Sequence, residues 1–454
     1  MEYVITKING FISNIVWGVP TLILIAITGA YYSVILKGLQ FRHFGFLLKK
    51  TIGMRLKNCR PDSDGRGDMS SFQAAMTSVS AIVGSGNIAG VATAIVSGGP
   101  GALFWMIIAA LIGMATKFAE IALGIQYRTV SKDGSIQGGA MYYLSEGLHN
   151  KWLGVLFSVL VIPFAFVISA GVDTNTIALA IEDSFHVPPI ATGIVLVFLC
   201  TTVVFGGVKR IGKVCEWLSP FMGGAYILAG IAILVLNINR VPAALTEIIK
   251  AAFSPSSVSG GAIGSVIVCM RYGVARGIYS NEAGLGTAAM IHSSAKVEHP
   301  VEQAVWGPIE VFLDTILVCT VSGLAIVLSG LWKDSSYDGA ALTIHAFEKM
   351  LPSSIGRYIC LGAVVLFGFS CLISFYTYAE RASVFLLGDK CKTVVKVLWI
   401  GFILIGSVTT LGIAWDIADT FNGLMIIPNL IGILLLSKTV VKLKNEYFSR
   451  QIQK

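Results

Sequence analysis

Apolar stretches long enough to cross a lipid bilayer recur along the whole of this chain. A helix that spans the hydrocarbon core needs roughly 20 apolar residues. Of the 454 residues, 55% are hydrophobic and only 13% are charged, whereas soluble proteins carry about 25% charged residues. A lipid-exposed backbone must satisfy its own hydrogen bonds, so we expect an all-α polytopic membrane protein. The predicted spans, about eleven in number, are 12–36, 71–97, 101–127, 152–180, 190–208, 214–238, 261–292, 303–331, 357–387, 393–413 and 417–436.

Charged residues lie mostly in the connections between these stretches. The net charge of +8 therefore follows the positive-inside rule and does not indicate nucleic-acid binding. The basic connections alternate with connections that are poor in Lys and Arg. We expect a multi-pass protein of the cell (inner) membrane, with its N-terminus outside and its C-terminus in the cytoplasm. The basic segments are 37–66, 128–151, 209–213, 381–396 and 438–454.

Several classes of protein are disfavoured by what the sequence lacks. The eight cysteines form no C-x-x-C pair and show no metal-ligand spacing, so we interpret them as small hydrophobic residues. We find no G-x-S-x-G elbow, H-E-x-x-H motif or Walker A loop, and we therefore predict no enzyme. A channel would need a continuous polar lining and is a less favoured alternative.

The basic segment Gln40–Lys57 is interpreted as a surface helix on anionic headgroups.

The second predicted span contains an interruption. Gly84-Ser85-Gly86-Asn87 falls in the middle of its apolar sequence, where two glycines and an Asn weaken a helix. Small residues also allow two helices to pack closely. Taken alone, this segment therefore leaves a broken helix and a tight helix contact about equally plausible.

The seventh predicted span shifts that balance. Arg276, Asn281 and Glu282 lie among the four glycines of the stretch Gly273–Gly286, and charged residues at membrane depth usually face a cavity or a partner. Two Gly-interrupted segments at matching positions in two halves are typical of a transporter site. Freed N–H groups can bind a carboxylate and freed carbonyl groups can bind a cation.

Several stretches resemble motifs of the alanine or glycine:cation symporter family, also described as sodium:alanine symporters. The similarity covers nearly the whole chain. It implies a fold of the leucine-transporter type, in which two five-helix repeats have inverted topology, here with one extra helix in front. The matching stretches are Gly84–Gly90 (GSGNIAG), Gly98–Met106, Gly113–Glu120, Arg276–Gly284, Asp416–Gly423 and Ile427–Gly432.

The resemblance also implies a division of the chain and a function. The expected function is symport of a small neutral amino acid, such as alanine or glycine, with a cation. Na⁺ is the expected coupling ion, H⁺ is a second possibility, and neither a cofactor nor an obligate protein partner is expected. The expected parts are 1–67 (first helix and basic segment), 68–240 (first repeat), 241–437 (second repeat) and 438–454 (basic tail).

By the same resemblance, Ser85 and Gly86 would hold the substrate carboxylate at the first interruption. Ile278, Tyr279 and Ser280 would line the pocket from the second interruption. A candidate sodium site would combine carbonyl groups near Ser80 and Val83 with the side chains of Ser370 and Cys371. Phe375, one turn after Cys371, would form a wall of the pocket.

Three positions in or near this expected pocket depart from the family pattern. Asp173 stands where Gln is usual, Cys371 where Thr is usual and Phe375 where Trp is usual. Sulfur is a poor ligand for a hard cation. The Asp173 carboxylate could pair with a substrate ammonium group or a cation, could take a proton, or could simply bond neighbouring side chains. We favour a functional role, and the alternative function is therefore a shifted substrate or proton coupling through Asp173.

Other charged residues receive simpler interpretations. We expect Lys117 and Glu120 to pair with each other on one helix. Glu310 and Asp314 would line an inner path or pair with Arg271 or Arg276. Asp416 and Asp419 are interpreted as acidic groups at the start of a helix, where they favour the helix dipole.

Overall fold

A computed structural model describes residues 2–53, 66–253, 265–334, 337–409 and 411–452. The described chain is almost entirely helical, as the sequence predicts. The α-helices are α1 Glu2–Val16, α2 Val19–Ile35, α3 Leu39–Arg42, α4 Phe44–Leu48, α5 Ser71–Ile82, α6 Val91–Gly98, α7 Ala102–Gln126, α8 Ala140–Tyr142, α9 Lys151–Ala165, α10 Thr174–Phe185, α11 Pro189–Val204, α12 Gly207–Leu236, α13 Val241–Phe253, α14 Ser265–Asn281, α15 Ala288–His292, α16 Pro300–Ala304, α17 Trp306–Val311, α18 Thr320–Ser329, α19 Gly339–Met350, α20 Ile355–Leu387, α21 Lys392–Val408, α22 Leu411–Leu435 and α23 Ser437–Ile452.

Wider π-helical turns interrupt or join several of these helices. Such turns are frequent at functional sites because they shift the side chains that follow them around the helix axis. Short 3₁₀ turns cover Leu331–Lys333 and Asp389–Cys391, and strands β1 Thr129–Val130 and β2 Ile136–Gln137 form an antiparallel hairpin. The π-helical turns are Lys49–Gly53, Gly86–Gly90, Tyr143–Gly147, Phe166–Asp173 and Phe312–Cys319.

In the described residues, each predicted span consists mainly of helix, but the number eleven is not confirmed. Among the described residues, eight helices are long and apolar enough to cross a membrane, or nine if the bent pair α5 and α6 forms one span. Helix α11 is apolar but shorter, and α14 has only 17 residues. Residues 261–264, which begin the seventh predicted span, lie outside the described part of the chain, as do residues 54–57 of the predicted surface helix.

The first two helices pack in front of the rest of the bundle. Helix α1 lies against α22, and α2 lies against α7. The Trp17 indole Nε1 donates a hydrogen bond to the Asp419 carbonyl at 2.9 Å, and the Tyr32 hydroxyl donates to the Ile433 carbonyl at 2.5 Å. Both acceptors lie on α22, so these two hydrogen bonds attach the first two helices to the rest of the bundle.

The interrupted helices occupy the centre of the bundle. Helix α5 packs against α12 and α20, and α14 packs against α6 and α7. A capping box begins α5: the Ser70 hydroxyl accepts from the Gln73 N–H at 3.1 Å, and the Gln73 side chain accepts from the Ser70 N–H at 3.1 Å. The start of this helix is therefore sharply defined, and its end is set by the interruption.

The β1–β2 hairpin and the start of α21 meet at the end of the bundle that carries the basic connections, here called the basic end. Lys392 donates to Asp133 in the hairpin loop, and its ammonium group lies 2.9 Å from Asp389. The hydrogen bond from Lys392 lowers the pKa of Asp133 to about 2. Two connections from opposite halves of the sequence are thus joined at this end.

Candidate functional site

The first interruption is present where the sequence predicts it. Helix α5 ends at Ile82, and Val83 leaves the helical conformation with φ −83° and ψ 87°. The two halves of the span are bent by 46°. The Asn87 side-chain oxygen accepts from the Gly84 N–H at 2.8 Å, so a side chain replaces the helical acceptor of that group.

The carbonyl groups at the end of α5 turn toward α20. The Ser370 hydroxyl lies 3.1 Å from the Ser80 carbonyl oxygen. The Cys371 thiol lies 3.4 Å from that oxygen and 3.1 Å from the Ala81 carbonyl oxygen. Three members of the candidate sodium site, Ser80, Ser370 and Cys371, are therefore together. The fourth, Val83, lies at the adjacent break in the helix, and its N–H still donates to the Val79 carbonyl at 2.8 Å.

The second interruption follows α14. Glu282, Gly284 and Gly286 have positive φ angles of 56°, 102° and 78°, a region that glycine enters without steric cost. Glu282 adopts it while its carboxylate accepts from the Thr287 hydroxyl at 2.7 Å and the Tyr378 hydroxyl at 2.8 Å. Buried hydrogen bonds therefore hold a backbone conformation that a non-glycine residue rarely adopts.

Buried polar groups satisfy the backbone that this interruption leaves free. Lys117 donates to the Asn281 carbonyl at 2.8 Å, and Glu120 accepts from the Gly286 N–H at 2.9 Å. Asn429 donates to the Glu120 carboxylate at 2.5 Å and to the Gly284 carbonyl at 2.8 Å. These contacts account for three buried polar side chains in the spans, those of Lys117, Glu120 and Asn429.

The predicted ion pair between Lys117 and Glu120 is wrong. The Lys117 ammonium group instead lies 3.4 Å from Glu310, which also contacts His292 at 2.8 Å and accepts from the Ser78 hydroxyl at 2.9 Å. A fully buried ammonium group needs a charged partner and further acceptors at once. Glu310 on α17 supplies the charged partner, and the Asn281 carbonyl group at the end of α14 supplies the further acceptor.

The two interruptions touch each other. A Cβ atom added to Gly86 would lie 3.0 Å from the Tyr279 ring and 3.4 Å from the Ser280 Cα atom. Asp314 joins the same segments, because its carboxylate accepts from the Asn87 side chain at 2.6 Å and from the Ser280 hydroxyl at 2.9 Å. One fully buried carboxylate therefore holds both broken helices in register.

Asp314 and Glu310 do not pair with Arg271 or Arg276, so that part of the prediction is wrong. The bridging role of Asp314 was also missed, since the sequence shows only a carboxylate in an apolar span. Its partner Asn87 lies 227 positions earlier in the chain. The only available signal was that each interruption carries an amide or hydroxyl side chain that needs a buried acceptor.

Asp173 lies beside the first interruption. The Ser85 hydroxyl donates to one oxygen of the Asp173 carboxylate. The other oxygen is buried and has no hydrogen-bond partner among the described residues. A Cβ atom added to Gly84 would collide with the Cys371 sulfur and lie 3.9 Å from Asp173. Three predicted site residues, Ser85, Asp173 and Cys371, are thus brought together around one glycine.

Phe375 and Ile278 belong to the apolar surroundings of this cluster. The Phe375 ring is 5.9 Å from that of Phe164 and 4.9 Å from that of Tyr378, measured between ring centres. Ile278 is buried in the same core. The Tyr279 hydroxyl is buried without a hydrogen-bond partner among the described residues. The site therefore combines apolar walls with a few unsatisfied polar atoms, as small-molecule sites usually do.

An ion pair covers the interruptions on the side away from the basic end. Arg276 lies 2.7 Å from Asp419. Its guanidinium carbon is 5.0 Å from the centre of the Trp415 ring and 5.7 Å from that of Tyr279. The interpretation of Asp419 as only a helix-start residue was therefore incomplete: its carboxylate pairs with Arg276. The Asp416 side chain lies outside the described part of the chain.

Arginine side chains close the site toward the basic end. Arg128 donates to the Ser293 carbonyl at 3.0 Å and to the Ala295 carbonyl at 2.7 Å. Arg381 donates to the hydroxyl groups of Ser293, at 2.6 Å, and Ser294. The same segment is bonded to the start of α5, since the Asp68 N–H donates to the Ser294 carbonyl at 2.8 Å. The cluster around Asp173 is therefore covered at both ends.

Comparison with known proteins gives consistent matches over the full length. A family model described as the sodium:alanine symporter family matches residues 1–454. A sodium/alanine symporter of Methanococcus maripaludis is 41% identical over 437 residues, which cover 95% of this chain and 94% of that protein. A probable sodium/glutamine symporter of Bacillus subtilis is 36% identical over 450 residues, which cover 98% and 91%.

Solved transporter structures share the fold. The crystal structure of MhsT in complex with L-phenylalanine has a TM-score of 0.56 at 14% identity and covers 84% of this chain and 98% of its own. A Na⁺-coupled sialic acid symporter has a TM-score of 0.56 at 14% identity and covers 88% and 86%. These matches confirm the expected leucine-transporter type of fold.

Proposed function

The chain belongs to the sodium:alanine symporter family, and from that premise we propose that it carries a small neutral amino acid, such as alanine or glycine, together with Na⁺. The family is one of transporters and not of enzymes. The observation that carries the proposal is the contact between the two interruptions, where Gly86 faces Tyr279 and Ser280. Backbone N–H and carbonyl groups left free at both interruptions can then surround one small ligand.

For the cation, we propose the site formed by the Ser80 and Val83 carbonyl groups with Ser370 and Cys371. The Ser80 oxygen and the Ser370 hydroxyl already lie 3.1 Å apart, so a small rearrangement would aim both oxygens at one ion. Oxygen ligands suit Na⁺, whereas the Cys371 sulfur suits it poorly. We therefore expect a lower affinity for Na⁺ than a threonine at this position would give.

For the substrate, we propose that Ser85 and Gly86 receive the carboxylate, with Ile278, Tyr279, Ser280 and Phe375 around the rest of the molecule. The hydrogen bond between Ser85 and Asp173 favours a second candidate function, in which a proton on Asp173 is coupled to transport or the preferred substrate is shifted. The substrate carboxylate and the Asp173 carboxylate would both lie close to the Ser85 hydroxyl, and they would repel each other unless one of them is neutralised. A proton or a cation at Asp173 would remove that repulsion.

We propose the orientation that the basic connections favour, with the basic end in the cytoplasm of a cell (inner) membrane. The N-terminus would then lie outside, and the Arg276–Asp419 pair would close the outer path. The two repeats would occupy 68–240 and 241–437, after an N-terminal part over 1–67 and before a basic tail over 438–454.

Uptake into liposomes tests the function directly. Purified protein should accumulate labelled alanine or glycine against its gradient when Na⁺ is higher outside, and uptake should saturate. Replacing the Na⁺ gradient with a K⁺ gradient should abolish accumulation, and an inward proton gradient tests the second candidate. Uptake that never exceeds equilibrium, or that does not saturate, would contradict symport and favour a channel.

A further inference from the structure

An apolar groove opens on the membrane-facing side of the bundle, outside the site described above. It has a volume of about 380 Å³ and lies between α5, α12 and the turn Phe312–Cys319. Met76, Val79 and Val83 form its inner wall, and Leu313 contributes from the turn. The groove therefore runs along the half of the broken helix that leads to the first interruption.

Two consecutive glycines keep the groove open. A Cβ atom added to Gly223 or Gly224 on α12 would meet no atom within 4 Å. The polar side chain in the lining is already engaged, because the Ser219 hydroxyl lies 2.5 Å from the Ser80 hydroxyl and donates to the Met76 carbonyl at 2.7 Å. Nothing in this lining requires a polar ligand, so its chemistry suits a hydrocarbon chain.

Positive charge borders the groove toward the basic end, beyond Glu216, whose carboxylate accepts a hydrogen bond from the Gln73 side chain at 2.9 Å. Lys213 precedes Pro220 by seven residues on α12, which places it on the same face about 10 Å nearer the basic end. Lys213 and Lys49 are exposed, and Lys49 and Lys50 lie three and two residues before Ile52 of the lining. The segment that carries them is held against the groove, since the Phe44 ring lies 4.9 Å from the Phe312 ring.

We propose that one anionic phospholipid occupies this groove, with an acyl chain along Val79 and Gly224 and its phosphate group near Lys213 and Lys49. The groove faces the bilayer of a membrane-embedded chain, so a lipid is the ligand present at highest concentration. Each buried methylene group contributes to binding, and each lysine near the surface attracts an anionic headgroup. The bound chain packs against the same residues that lead to the corner at Val83.

Native mass spectrometry of protein released from nanodiscs tests the acyl-chain site. The nanodiscs contain equal parts of phosphatidylglycerol and phosphatidylcholine. We expect one retained phosphatidylglycerol on the wild type and roughly tenfold less on Gly224→Phe, which fills the groove. Gly401→Phe is the matched control, because Gly401 is also exposed on a helix with no atom within 4 Å of an added Cβ. Gly223→Phe fills the groove independently should Gly224→Phe fail to fold.

The headgroup site is tested in the same nanodiscs with Lys213→Gln. Its preference for phosphatidylglycerol over phosphatidylcholine should fall about fivefold, whereas Lys396→Gln, on α21, should leave it unchanged. Equal retention on Gly224→Phe, Gly223→Phe and Gly401→Phe would overturn the groove as a lipid site. Equal retention of the two lipids by the wild type would overturn the anionic headgroup. Neither result depends on which amino acid the protein carries.

Discussion

The Ser85 hydroxyl donates a hydrogen bond to the Asp173 carboxylate, although the two residues lie 88 positions apart in the chain. The bond places an acidic side chain on the group that is expected to receive the substrate carboxylate. No ion pair to Asp173 is found among the described residues, and its second oxygen has no hydrogen-bond partner there. Its protonation and substrate binding should therefore depend on each other.

Asp173→Asn should make alanine uptake independent of pH. In the wild type, uptake should rise as the pH falls, because a proton on Asp173 removes its repulsion of the substrate carboxylate. The amide keeps the shape of the side chain without the charge, so the apparent affinity for alanine at neutral pH should rise about tenfold. Initial rates of uptake measured across pH and alanine concentration check this. Unchanged uptake, ion dependence and pH profile would show that Asp173 only bonds its neighbours.

Cys371→Thr should lower the Na⁺ concentration needed for half-maximal uptake by about tenfold. The change replaces a soft sulfur beside the Ser80 carbonyl with a hydroxyl oxygen, which a hard cation prefers. Ser370→Ala should have the opposite effect, because it removes an oxygen 3.1 Å from Ser80. Uptake rates against Na⁺ concentration measure both changes. If Cys371→Thr and Cys371→Ala show the same Na⁺ dependence, the side chain at 371 does not bind the ion.

Gly84→Ala should reduce uptake by at least about tenfold, since overlap in a packed site displaces its neighbours. Its new Cβ would collide with the Cys371 sulfur and approach Asp173. Gly90→Ala is the control, because an added Cβ there meets no atom within 4 Å. The double variant Gly84→Ala/Cys371→Ala removes the collision and should recover part of the uptake. Full activity of Gly84→Ala would mean that Cys371 can move away at no cost.

Asp314→Asn should abolish uptake and lower the free energy of unfolding by about 1–3 kcal/mol. An amide group at 314 would present a donor to Asn87 or Ser280, each of which now donates to the carboxylate. Ser322→Ala removes a buried bond to Tyr226 elsewhere in the same span, so it should destabilise without stopping uptake. Thermal unfolding and uptake of both variants separate the two effects. Equal uptake by the two variants would assign Asp314 a purely structural role.

Arg276→Gln should expose Cys371 to a membrane-impermeant thiol reagent added outside right-side-out vesicles. The substitution removes the Arg276 guanidinium group, which lies 2.7 Å from Asp419 and packs over the Trp415 ring. The labelling rate of Cys371 should rise about tenfold, and Cys371→Ala in the same background should remove the signal. Labelling only from the other side would reverse the proposed orientation. An unchanged rate from both sides would show that the ion pair does not close the path.

The interruptions could be predicted because two segments at matching positions combine glycines with polar or charged residues, which a single close helix contact does not explain. Gly84, Asn87, Glu282 and Gly286 weaken a helix or are costly at membrane depth, and all four lie at or next to a break in the helix. Their partners could not be predicted. Asp314 is recognisable as a buried acid, but nothing in the sequence pairs it with Asn87, because the two meet only after distant spans pack together.

Local rules failed where tertiary contacts compete with them. The spacing of Lys117 and Glu120 on one helix indicated a pair, yet Lys117 lies near Glu310 on another helix. A pair along a surface helix contributes only a few tenths of a kcal/mol, much less than an unsatisfied buried charge costs. The β1–β2 hairpin was also missed, since strands of two residues each leave no alternating pattern in the sequence.

Asp419 is held from two directions: Arg276 binds its carboxylate, and the Trp17 indole binds its carbonyl group. The second bond comes from Trp17, which lies between the front helices α1 and α2. It anchors the stretch of α22 that carries Asp419, so we expect Arg276 to be the partner that moves away when the path opens. Shortening or tagging the amino terminus should therefore weaken the fixed side of this contact, although no residue of α1 or α2 belongs to the proposed binding site.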